Sequence, residues 1–113
     1  MGKCIVYFNP AGSHLMDMIA NKLVQLDAKN SDTLQVSNEI SEAQIAVVTP
    51  NQIKYIEEVC NADSIPMIIL SDNEMLLREY SAAIDVSPPP TSVADIQILY
   101  YRILSAYRLV FGS

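Results

Sequence analysis

The sequence predicts an α/β domain built on a parallel sheet of five strands with helices on both faces. Three observations carry this. The runs Cys4-Ile5-Val6-Tyr7-Phe8, Gln44-Ile45-Ala46-Val47-Val48 and Ile65-Pro66-Met67-Ile68-Ile69-Leu70 are short, apolar and mostly β-branched, the pattern of strands covered on both faces. Each is followed by turn formers and then by apolar residues at helical spacing, so strands and helices alternate. The chain has 113 residues, of which 50% are hydrophobic and 18% charged. That is enough for one domain with its own core.

The elements follow in order. After the strand at 4–8, Asn9-Pro10-Ala11-Gly12-Ser13 is a loop. Ser13 is placed to cap a helix running from His14 to about Leu26, with Asp17 favouring its positive end and Leu15, Ile19, Leu23 and Leu26 on one stripe. Thr33 to Ser37 alternates and reads as a strand near a sheet edge. About six residues separate it from the central strand, whereas a parallel crossover normally takes a dozen or more. Either this connection is a single helical turn or the second strand lies elsewhere. Asn51 is expected to cap a helix from Gln52 to about Asn61, with Ile53, Ile56 and Cys60 inward. Ser71 and Glu74 have capping-box spacing before a short helix through Met75, Leu76, Leu77 and Tyr80, with Asp72 in its first turn. Ala83 to Val86 is the last strand, stopped by Ser87-Pro88-Pro89-Pro90. Ser92 and Asp95 repeat the capping-box spacing, and the final helix runs to about Phe111. Its stripe is Val93, Ile96, Tyr100, Ile103, Tyr107 and Val110, while Ile98, Tyr101 and Leu109 lie off it.

Composition excludes several functions. The net charge is −6 and the seven basic residues are scattered, so this domain is not expected to bind nucleic acid, which needs clustered Lys and Arg. No apolar stretch is long enough to span a membrane, no leader is visible, and the expected location is the cytoplasm. Cys4 and Cys60 match no metal or redox spacing and read as small buried hydrophobes. Met16, Met18, Met67 and Met75 read as core filler, and His14 as a surface residue at a helix start. No cofactor or metal site is expected.

The order and spacing of these elements resemble the receiver domain of bacterial response regulators over nearly the whole chain. Ile65 to Ser71 looks like the receiver's fourth strand with its terminal hydroxyl residue. Gln44 to Thr49 resembles the third strand that ends in the phospho-acceptor Asp, and Ile84 through Pro89 resembles the region that carries Lys-Pro. The resemblance implies a flavodoxin-like three-layer sandwich with sheet order 2-1-3-4-5, here with a shortened second helix region. It also implies what is missing. The acceptor position falls on Thr49, the acidic pair around Phe8, Asn9 and Pro10, and the lysine position on Ser87 or Pro88. The chain has no lysine after Lys54, and only Ser71 agrees with the family pattern. Magnesium wants hard carboxylate oxygens, which Asn9 does not supply. Residues 1–113 therefore look like a single degenerate, or pseudo-, receiver that has no catalytic residue and acts by binding protein.

Two other expectations concern surfaces. The first loop resembles the phosphocysteine loop of phosphotransferase IIB components in place but has no cysteine. Asn9, Gly12 and Ser13, with Thr49 nearby, are the candidates for an anion or small-ligand loop there. The final helix has more apolar residues than one buried stripe requires. Receivers commonly dimerise through their fourth helix, fifth strand and fifth helix, so Ile98, Tyr101 and Leu109 are the candidates for an interface. The partner is a second copy or another protein. The same residues would also serve if they packed on the sheet or led into a following domain of a longer protein.

Overall fold

The computed structural model describes residues 4–8, 14–30 and 32–111. Its elements are β1 (Cys4–Phe8), α1 (His14–Lys29), β2 (Leu34–Ser37), β3 (Ile45–Val48), α2 (Ile53–Ala62), β4 (Met67–Leu70), α3 (Leu76–Glu79), β5 (Ala83–Ser87) and α4 (Val93–Val110). The five strands are all parallel, in the order β2-β1-β3-β4-β5. This is the predicted flavodoxin-like α/β architecture.

Strand alternation builds two cores, one on each face of the sheet. Cys4, Val6, Phe8, Ile45, Val47, Ile68 and Leu70 point one way and meet α1 and α4 through Ile19, Leu23, Leu99, Tyr100 and Ile103. Tyr7, Ala46, Val48, Met67 and Ile69 point the other way and meet α2 and α3 through Ile53, Ile56, Cys60 and Leu76. β3 and β4 are buried at every position, which is why their sequences show no polar face. Fully burying one such aliphatic side chain contributes about 1.5–3 kcal/mol, so these two strands anchor the fold.

The connection from β2 to β3 is one turn of 3₁₀ helix, Ile40–Glu42, and β2 keeps its place beside β1. Of the two options open in the sequence, the single turn is the one adopted. Gln44 closes the gap. Its Oε1 accepts from the Ile5 amide at 3.0 Å, and its own amide donates to the Ile5 carbonyl at 2.8 Å. The side chain thus adds a rung just before the β1–β3 ladder begins.

Several local expectations are corrected. Asn51 does not cap α2. A 3₁₀ turn, Pro50–Gln52, precedes the helix, and Gln52 returns its side chain to the Thr49 amide at 3.3 Å. Ser71 does not form a capping box with Glu74. Its hydroxyl accepts from the Asn73 amide, and the Asn73 carboxamide accepts from the Met75 amide. Two successive side-chain turns use up the backbone donors, so α3 begins only at Leu76 and Asp72 lies outside it. Ser92 does cap α4, accepting from the Asp95 amide at 3.2 Å, but the Asp95 carboxylate goes one residue further back, to the Thr91 amide and hydroxyl. That partnership holds the Asp95 carboxyl below its usual range. α1 runs to Lys29 rather than Leu26. Ser13 and the side chain of Leu15 lie outside what is described. Met16 and Met67 are core residues, whereas Met18 and Met75 are exposed.

One irregularity sits in the edge strand. Met67 pairs with Ala83, but Ile68 pairs with Asp85, so Ile84 is an extra residue, a bulge. Ile84 packs against the α1–α4 core and Asp85 contacts Arg102 of α4. Two consecutive residues therefore face α4, and Val86 is returned to the opposite core.

Candidate functional site: the last strand and last helix

In open α/β sheets, chemistry gathers at the carboxyl ends of the strands. Here Thr49 follows β3, Ser71 follows β4, and Ser87 ends β5. They are hydroxyl residues already engaged in local structure or buried. The Thr49 hydroxyl donates to Asn51 Oδ1 at 2.7 Å, and the Ser71 hydroxyl accepts from Asn73. Ser87 is buried, and its carbonyl accepts from the Ser71 amide at 2.8 Å. Pro88 beyond it is exposed. Asn9, Gly12 and Ser13, the loop candidates, lie outside the described residues. Among the described residues, no three His, Cys, Asp or Glu side chains gather as a metal-ion site.

The two thiols are free and buried, one in each core. Burial, with the Asp27 charge adding to it, pushes Cys4 up to about 12. Burial, with Asp63 adding to it, pushes Cys60 up to about 11. Neither has the lowered pKa that a reactive thiolate needs.

The outer side of α4 is different. Ile98 is 53% exposed, Tyr101 57% and Leu109 82%. All three line one groove of about 410 Å³, together with Ile84, Asp85 and Arg102. The predicted stripe is only partly inward. Tyr100 and Ile103 are buried, but Val93 and Val110 at its ends are exposed, and Leu99, Leu104 and Ala106 are buried off it. The helix is wide and apolar, and the sheet covers a sector rather than a line.

Arg102 and Asp85 form the polar centre of this groove. Arg102 Nη1 donates to Asp85 Oδ1 at 3.2 Å and to the Val86 carbonyl at 3.1 Å. Asp85 is therefore a paired residue within β5. The same two side chains line a second groove of about 380 Å³ with Glu74, Met75, Leu77 and Arg78. Met75 and Leu77 are themselves exposed. The ion pair thus lies between two hollows on one face made by α3, β5 and α4, the first mostly apolar and the second lined also by the charged Glu74 and Arg78.

One buried polar cluster was missed in the sequence. Asp27 on α1 is 1% exposed. Its Oδ1 accepts from the Tyr100 hydroxyl at 2.8 Å and from the Thr33 amide at 3.2 Å, and its Oδ2 accepts from the Leu34 amide at 2.9 Å. The available signal was its place on the inward side of the helix, at i+4 from Leu23.

By sheet order and layering the domain belongs to the flavodoxin-like α/β class. Comparison with family models, with curated proteins and with solved structures finds no match for this chain.

Proposed function

We propose that this chain is a non-catalytic pseudo-receiver, a cytoplasmic signalling module that works by protein contact through α4 and first of all by pairing with a second copy. The observation that carries this reading is the placement of exposed Ile98, Tyr101 and Leu109 along a single groove. Large apolar side chains grouped in this way favour a docking surface, and tyrosine is a frequent anchor in one. Loss of phosphoryl chemistry is supported by the residues at the strand ends, where Thr49, Ser71, Ser87 and Pro88 stand. An aspartyl acceptor after β3 and a lysine after β5 are both lacking there.

Light scattering across a concentration series tests the contact. A dimer is expected, and Tyr101→Glu or Ile98→Glu is expected to weaken it at least about tenfold, since burying an unpaired charge costs more than 1.4 kcal/mol. A strict monomer unaffected by both substitutions refutes the reading. Incubation with beryllofluoride and Mg²⁺ is expected to give no adduct at any Asp, and a stoichiometric adduct would show that the domain is an active receiver.

The single-turn crossover between β2 and β3 favours a second reading, in which the domain is a IIB-like or anion-binding module using Asn9, Gly12 and Ser13. Calorimetric binding of inorganic phosphate, lost in Asn9→Ala, would favour that reading over the first.

A further inference from the structure

We propose that Asp27 and Tyr100 form a latch that ties the setting of α4 to the order of the edge strand β2. Tyr100 and Asp27 are 73 residues apart in sequence, and both are 1% exposed. Tyr100 sits on α4, immediately before Tyr101 on the groove side, and the two rings are 5.4 Å apart. One carboxylate therefore holds at least three donors, one from α4 and two from the start of β2. The Tyr100 hydroxyl comes from the helix, and the amides of Thr33 and Leu34 open the edge strand.

The chemistry of the carboxylate makes the link directional. A buried carboxylate that loses one of its donors must recover it from elsewhere or shift, because an unsatisfied buried charge is costly. Rotating or sliding α4 withdraws the Tyr100 hydroxyl, and an Asp27 side chain that follows it strains its hold on the Thr33 and Leu34 amides. At that end β2 is otherwise held by β1, whose Cys4 amide donates to the Thr33 carbonyl at 2.6 Å, while the Thr33 and Leu34 amides go to Asp27. β2 is four residues long, lies at the sheet edge, and its next connection is one 3₁₀ turn. Tyr100 and Asp27 are thus positioning residues, and the amides of Thr33 and Leu34 report on α4. The coupling stands without any docking event. Its use as a signal, by which occupation of the α4 groove reaches β2, rests on the reading of that groove given above.

Hydrogen exchange resolved by residue, on the full chain, tests this. In Tyr100→Phe, exchange at Thr33 and Leu34 is expected to accelerate about tenfold relative to the amides of Val47 and Ile68, the weight of one hydrogen bond expressed as local opening. A uniform change at all four sites, or none, overturns the latch and leaves the contact as ordinary core packing. Should Tyr100→Phe not fold, the wild-type chain decides the matter. Under low denaturant, the amides of Leu34 and of Ile103 in α4 are expected to open as one cooperative unit, and separate isotherms overturn the latch. Addition of the dimerisation measurement separates the two claims. A monomeric chain that shows the exchange pattern keeps the latch and loses the docking reading. A dimer with unlinked exchange does the reverse.

Discussion

Cys4 and Cys60 are buried thiols, one in each core of the sheet. Their titration gives a pH prediction. Both thiols are raised, to about 12 and about 11 from 9.0, so above pH 9 the unfolded chain gives up protons that the folded chain retains. Stability is therefore full below pH 9 and falls as pH rises towards 11 and 12. Thermal unfolding from pH 8 to 11 is expected to show this decline, and Cys4→Ala with Cys60→Ala to flatten it. Tyr7, also raised chiefly by burial, adds to the same decline. Ser64 was not legible at all. It follows α2 with φ of 56°, a left-handed conformation that glycine adopts without strain. Ser64→Gly is expected to stabilise the fold by about 1 kcal/mol, measured by urea denaturation. Asp27 escaped for a different reason. A charged residue in a helix reads as solvated, and only the tertiary structure supplies the two amides and the hydroxyl that satisfy it.

At the scale of elements, the strands and long helices were legible because burial on both faces leaves a continuous apolar run and burial on one side leaves a stripe. Helix starts were legible only where no neighbour competed. Ser92 caps α4 as its spacing suggests, and Ser92→Ala is expected to cost about 1 kcal/mol in chemical denaturation. The Asp95 carboxyl, held down chiefly by the Thr91 amide and hydroxyl, supports the same turn above its ordinary pKa of 3.8, and that support is lost as pH falls below it. Ser71 has the same spacing and does not cap, because Asn73 intercepts its hydroxyl. The single-turn crossover was legible as an option from its length alone. What the length does not record is the part of Gln44, whose side chain accepts from the Ile5 amide and ties the end of that turn to β1.

Across the whole molecule, the parallel five-stranded sheet followed from the alternation of elements and its strand order from the receiver resemblance, while the position of the exposed apolar face followed only in part. Ile98, Tyr101 and Leu109 stood off the helical stripe and do lie outside. The contributions of Met75, Leu77 and Arg78 depend on how α3 is set against β5, which no local pattern records. The Arg102–Asp85 pair is about one third exposed on both sides. Solvent screening therefore leaves Arg102→Ala costing under about 1 kcal/mol, a value that equilibrium unfolding checks, so the pair serves the shape of the surface more than its stability. The bulge that presents Asp85 has one more effect. β5 is an outermost strand, and a straight, uncharged strand there would be a template on which misfolded neighbours could add and grow into fibrils. The extra residue at Ile84 bends this rim, and a paired charge sits beside it. Both features disfavour growth from the β5 side, which leaves β2 as the other open edge.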